Sequence, residues 1–254
     1  MTEELAGRSA VITGGSSNIG FAIAERFLRA GAHITINALD DELLADAAAS
    51  LQAIAGERVT VVPGDILEPT TRDRLVDAAL EAGGGVDVVV NDVLIDGGTN
   101  RLTLLDSPRR DWDRLIEGYL HAPLQLVRGA RASMVERGHG CVINLVTGAA
   151  FTPIAGMGTY GVTKAMMWAL TRHLAAELAP HIRVNAVCPG TTSRDGTLKV
   201  EGMAPLIARV PMKRMGRAAE TAEAALFLAS DAASYTTGQL LFCDGGRTEL
   251  AAPS

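Results

Sequence analysis

The 254-residue sequence lacks any basic excess: 23 Lys and Arg against 29 Asp and Glu leave a net charge of −6, and the cations are scattered rather than gathered into a stripe. A polyanionic partner has no electrostatic footprint here, so nucleic acid is not an expected ligand. No apolar run approaches the ~18 to 20 residues that a membrane span requires. The opening MTEELAGR places acidic residues where a secretory leader needs a basic and then an apolar stretch. A soluble, cytoplasmic protein without a membrane partner is expected. Cysteine is scarce, and Cys141, Cys188 and Cys243 are odd in number, far apart and set in apolar contexts. That pattern fits buried side chains better than bridges or a metal site. His33, His121, His139, His173 and His181 show no metal-ligand spacing, and no Gly-x-Ser-x-Gly elbow marks a hydrolase. Linkers, low-complexity tracts and internal repeats are missing too, so residues 1–254 read as one domain.

What is present is an alternation. Short runs rich in Val and Ile, at 8–13, 33–37, 58–62, 86–90, 141–146, 182–187 and 239–243, are separated by segments of helical period. Within 19–30, Ile19, Ile23 and Phe27 recur at four-residue spacing, and within 158–179, Met167, Leu170, Leu174 and Leu178 mark one face. Apolar strands alternating with amphipathic helices predict βαβ units, hence a Rossmann-type α/β domain: a doubly wound parallel sheet of about seven strands with helices on both faces. Ligands then bind beyond the carboxyl ends of the strands, near the point where strand order reverses. Residues 191–216 break the rhythm with Gly and Pro, which makes them a candidate substrate lid.

The first strand runs directly into Thr13-Gly14-Gly15-Ser16-Ser17-Asn18-Ile19-Gly20 and then a helix. Glycines let the backbone approach a pyrophosphate, and the amides and dipole at the helix start favour an anion. Asn18 stands where a third glycine is usual, and Asn is the side chain that best tolerates a left-handed backbone. Further on, Tyr160-Gly-Val-Thr-Lys164 opens a helix and sets a phenol and an ammonium one turn apart on one face. A free tyrosine has a pKa of ~10, and a neighbouring cation lowers it by favouring phenolate, which suits proton exchange near neutrality. Thr147, just past the fifth strand, supplies a hydroxyl able to polarise a carbonyl oxygen.

These features together resemble the short-chain dehydrogenase/reductase family, and in general build its β-ketoacyl carrier-protein reductases. The glycine turn is similar to the family's Thr-Gly-x-x-x-Gly-x-Gly signature, and LASDAASYTTGQLLFCDGG, ending at Gly246, looks like its C-terminal segment. The resemblance covers nearly the whole chain. It implies an NAD(P)-dependent oxidoreductase interconverting a carbonyl and a secondary alcohol. Tyr160 would be the acid/base, Lys164 the pKa-tuning and ribose-binding cation, and Thr147 the oxyanion contact. It assigns cofactor contacts to Gly14, Ser16, Ser17, Asn18, Ile19, Asn37, Asp65, Ile66, Asn91, Tyr160, Lys164, Pro189, Gly190 and Thr192, with Asp65 at the adenine. A homo-oligomer, tetramer or dimer, is implied through the helices carrying Trp112 and Trp168. Trp168 reads first as a core residue and second as a subunit contact.

The pattern also departs from the family. Tyr119 stands where an active-site Asn is usual, and that Asn holds a water linking the Lys to solvent. The family's Asn-Asn-Ala-Gly is Asn91-Asp92-Val93-Leu94, which puts branched side chains beside the cofactor. At the end of the second strand, Asn37-Ala38-Leu39-Asp40 offers neither the acidic selector of NAD nor the basic selector of NADP. Asp40 reads as a helix cap or a ribose contact. Ser17 and Asn37 as phosphate donors give a slight lean to NADP over NAD. The alternative function is a scaffold that keeps the cofactor but performs a non-redox step or a binding role.

Overall fold

The computed structural model describes residues 3–95, 102–197 and 204–250. Seven parallel strands form one sheet in the order β3-β2-β1-β4-β5-β6-β9. They are β1 (Ser9–Thr13), β2 (His33–Ala38), β3 (Val59–Pro63), β4 (Val88–Asn91), β5 (Gly140–Leu145), β6 (Ile182–Pro189) and β9 (Leu240–Cys243). Each coincides with one of the seven apolar runs, as burial on both faces requires of the five inner strands; the edge strands β3 and β9 are partly exposed. The order reverses between β1 and β4, so the chain leaves these neighbouring strands in opposite directions and opens a crevice at their carboxyl ends.

One face is covered by α1 (Asn18–Arg29), α2 (Asp41–Ala55) and α8 (Ala218–Ala229). Ile23 and Phe27 of α1 are fully buried there, each contributing roughly 1.5–3 kcal/mol of transfer free energy. The other face carries α3 (Pro69–Gly83), α4 (Arg109–Ile116), α5 (Ala122–Arg137) and α6 (Gly158–Leu178). Cys141, Cys188 and Cys243 are all free thiols, the first two buried. Trp168 is half-buried against Val146, Met167, Ala186 and Cys188. Among the described residues no helix is long and apolar enough to cross a membrane, and no group of His, Cys, Asp or Glu could hold a metal ion.

Two local features had no periodic signal in the sequence. Between α4 and α5, residues Glu117–His121 form a π-helical turn, in which the Ala122 N–H reaches back to the Glu117 carbonyl. Pro123 has no N–H to offer the Tyr119 carbonyl, so the α-helical ladder is interrupted there. The turn is held down by the buried Arg72 of α3, whose Nη1 donates to Glu117 Oε1 at 2.7 Å. The second feature is a two-residue parallel pairing of β7 (Thr192–Ser193) with β8 (Gly216–Arg217). It closes the base of the 191–216 excursion, which also holds the short α7 (Ala204–Ala208). Residues 198–203 of that candidate lid lie outside the described residues.

Candidate active site

A cleft of about 580 Å³ opens at the carboxyl ends of β1, β2, β4 and β5, where the strand order reverses. Its floor is the turn between β1 and α1. Gly14 there has φ +69°, and a Cβ on it would collide with the Asp92 carbonyl. Gly20, one turn into α1, lies equally close to the Gly14 carbonyl. Asn18 adopts φ +43°, the left-handed conformation expected of it. Ser17 is the N-cap of α1, yet its side chain makes no capping bond, so the first-turn amides of the helix are left for other partners.

Across the cleft, Tyr160 and Lys164 lie on the first two turns of α6, and Thr147 sits at the end of β5 as the N-cap of a short 3₁₀ turn. Thr147 and Tyr160 both line the cleft, and Thr147 Oγ1 accepts the Ala149 N–H at 3.4 Å. Lys164 is 3% exposed, and its Nζ donates to the Leu145 carbonyl at 2.7 Å while lying 4.1 Å from the centre of the Tyr119 ring. Tyr119 stacks edge-on against Tyr160 at 6.0 Å, and its hydroxyl accepts the Ile95 N–H at 2.9 Å. The phenol at 119 thus covers the ammonium with its face and braces the loop after β4 with its oxygen.

Electrostatics here are governed by burial. Desolvation pushes the Tyr160 phenol up to about 12, against the Thr147 hydrogen bond that pulls it down. The lowering by Lys164 that the four-residue spacing suggested is not found: the ammonium is turned to the Leu145 carbonyl and the Tyr119 ring. Burial also lowers Lys164 to about 8, with Asp92 opposing, and raises the Asp92 carboxyl to about 7, opposed by Lys164 and the Gly20 amide.

Of the residues assigned to the cofactor from the sequence, Gly14, Ser16, Ser17, Asn18, Ile19, Asn37, Asp65, Ile66, Tyr160, Lys164, Pro189, Gly190 and Thr192 all line this cleft, as does Thr147. Asn91 does not. Its side chain is buried beneath the cleft, donating to Asn144 Oδ1 at 2.7 Å. Asp40 is the N-cap of α2 and accepts the Leu43 N–H at 2.9 Å, which is the capping reading. Asn37 spends its amide hydrogens on the Val62 and Gly64 carbonyls at 2.9 and 3.0 Å, so the side chain presents an acceptor oxygen rather than a phosphate donor. Asp65 accepts the Leu67 N–H at 2.9 Å.

A family model described as enoyl-(acyl carrier protein) reductase matches residues 14–248. A dehydrogenase/reductase SDR family member 4 from Oryctolagus cuniculus is 33% identical over 249 residues, covering 96% of this chain and 95% of the relative. The 2-(R)-hydroxypropyl-CoM dehydrogenase of Xanthobacter autotrophicus is 30% identical, covering 96% and 99%. Among solved structures, the L-sorbose reductase of Gluconobacter frateurii, complexed with NADPH and L-sorbose, superposes with a TM-score of 0.89 at 32% identity, covering 98% of this chain and all of that one. The chain belongs to the short-chain dehydrogenase/reductase family. It is an NAD(P)-dependent oxidoreductase.

The short-chain dehydrogenase/reductase cleft fits a dinucleotide on its own geometry. A cradle that any Cβ at Gly14 would fill, and first-turn amides left uncapped by Ser17, suit a pyrophosphate. Two charged cleft residues were given no role by the sequence. Arg114 of α4 lines the wall, on a helix whose polar face carried no distinguishing signal. Asp92 lines it too, and a charged residue straight after the apolar run of β4 was the available sign.

Proposed function

We propose that this enzyme reduces a ketone or aldehyde to an alcohol, and runs the reverse reaction, with Thr147, Tyr160 and Lys164 as its catalytic residues. The observation that carries the reading is the gathering of Thr147, Tyr160 and Lys164 on one cleft, the phenol one helical turn from a buried ammonium. When bound, the nicotinamide supplies or accepts the hydride. Thr147 holds the substrate oxygen by hydrogen bonding, and the Tyr160 O–H donates its proton to that oxygen as negative charge develops there. Because burial holds the phenol near 12, it stays protonated across the neutral range, which favours the reductive direction. Lys164 binds the ribose and places positive charge beside the developing anion. Gly14, Ser16, Ser17, Asn18 and Ile19 receive the pyrophosphate, Asp65 and Ile66 the adenine, and Pro189, Gly190 and Thr192 the nicotinamide end.

The relatives named as an L-sorbose reductase and a 2-(R)-hydroxypropyl-CoM dehydrogenase support a carbonyl and alcohol pair as substrate class. The described parts of 191–216 supply a substrate-side wall. A homo-oligomer through the helices that carry Trp112 and Trp168, in the cytoplasm, completes the reading. The test is consumption of NADPH and NADH with a panel of small ketones and aldehydes, with cofactor binding measured separately. Turnover is expected with both cofactors, the preference staying below ~100-fold (about 2.7 kcal/mol) because no charged selector follows β2. Binding without turnover of any carbonyl overturns the reading in favour of a cofactor-binding scaffold.

A further inference from the structure

We propose that Asp92 makes dinucleotide binding proton-linked: its carboxylate, seated at the first turn of α1, takes up a proton as the cofactor's pyrophosphate arrives at the same helix end. This inference rests on the cofactor reading above and assigns a new role within that site.

Three observations place the carboxylate there. Ser17 gives α1 no side-chain cap. A Cβ on Gly20 would lie only 3.1 Å from Asp92 Oδ2. The Asp92 backbone is locked, its N–H donating to Thr13 Oγ1 at 3.0 Å and its carbonyl pressed against Gly14. The carboxylate therefore lies at the N-terminal end of α1, on the cleft and in the positive end of the helix field.

That position is also the one the glycine cradle prepares for phosphate. An ionised Asp92 opposes a dianionic pyrophosphate arriving at the same helix end. A protonated one removes the repulsion and offers an O–H donor to a phosphate oxygen. The step is a simple protonation: a solvent proton adds to the carboxylate, and no bond to the cofactor forms. The charged and titratable groups around Asp92 are Lys164 and Tyr160 of α6, both of which sense its charge. Arg114 of α4 lies on the same cleft, and Arg194, after β7, is parked 4.8 Å over the Phe21 ring of α1. Burial raises the Asp92 carboxyl toward neutrality against the opposing charge of Lys164, whose Nζ donates to the Leu145 carbonyl at 2.7 Å, so the proton is available.

The test uses ADP-ribose, which carries the pyrophosphate but no nicotinamide, so its binding is independent of redox turnover. Calorimetric titrations between about pH 6 and about pH 9, in buffers of different ionisation enthalpy, count the protons exchanged. Wild type is expected to take up close to one proton in the upper part of this range, with Kd rising by up to about tenfold per pH unit. Asp92→Asn should abolish the uptake and flatten the slope, whereas Asp92→Glu should retain both. An infrared difference spectrum on binding should show a new protonated carboxyl band in wild type that Asp92→Asn lacks. Should Asp92→Asn fail to fold, the wild-type proton count and that band still decide. Binding without proton uptake, or equal uptake in Asp92→Asn, overturns this proposal alone. A wild type that binds neither ADP-ribose nor dinucleotide at any pH overturns the cofactor reading and this proposal with it.

Discussion

Asn91 and Asp92 are consecutive in the chain, yet they belong to two different layers at the end of β4. Asn91 pairs in register with Asn144 of β5 and starts a neutral chain below the cleft. Its Nδ2 donates to Asn144 Oδ1 at 2.7 Å, Asn144 Nδ2 donates to Thr171 Oγ1 at 2.8 Å, and Thr171 Oγ1 donates to the Met167 carbonyl at 2.9 Å. Each link is an uncharged donor matched to an acceptor, and the chain ties β4, β5 and α6 together. Asp92 points the other way, onto the cleft, where Lys164, Tyr160 and it hold one another's charges in a partly dehydrated space. The lower layer is settled by hydrogen bonds and has nothing left to exchange. The upper layer is settled by electrostatics, so a proton or an anion moves it.

The sharpest way to break this division is to remove the proton donor of the upper layer. Tyr160→Phe should lower kcat by about 10³-fold or more, roughly 4 kcal/mol in barrier, because the packing of the ring survives and only the O–H is lost. Cofactor affinity, read by fluorescence titration, should change little. A kcat equal to that of wild type would remove Tyr160 from the chemistry.

A smaller and mixed effect is expected at Tyr119, which packs against Lys164 and Tyr160 of the upper layer and braces the loop after β4. Replacing this fully buried ring in Tyr119→Asn should cost about 3 kcal/mol of stability in a denaturant titration, by opening a cavity and freeing the Ile95 N–H. Carbonyl reduction by the folded fraction should stay within about tenfold of wild type, about 1.4 kcal/mol, since the ring shields Lys164 without touching the reacting atoms. A silent parent rescued by the substitution would show that the phenol suppresses redox chemistry.

The smallest effect isolates the lower layer. Asn91→Ala should reduce stability by about 1–3 kcal/mol, the cost of leaving the buried Asn144 oxygen without its donor. The pH dependence of cofactor binding should be unaltered. If that dependence shifted as it does in Asp92→Asn, the two layers would be one network and the contrast between them would fail.

All seven strands of the main sheet were legible in the sequence, to within about two residues at each end: the five inner strands are almost wholly buried and must be apolar runs, and the half-exposed edge strands β3 and β9 keep the same apolar character. The glycine turn was legible for a similar reason: φ +69° at Gly14 and φ +43° at Asn18 are demands of backbone sterics that few residue types meet. So was the pairing of Tyr160 with Lys164 on one helix face, fixed by 3.6-residue periodicity. These are local properties, written within a few residues of where they act. Tertiary structure alone decided the rest. That Asn91 braces Asn144, 53 residues away, that Tyr119 covers Lys164 rather than leaving it to Tyr160, and that Asp92 lies against the first turn of α1 depend on elements distant in the chain meeting at the reversal of strand order. A buried charge is set by the sum of its surroundings, and no short stretch of sequence contains that sum.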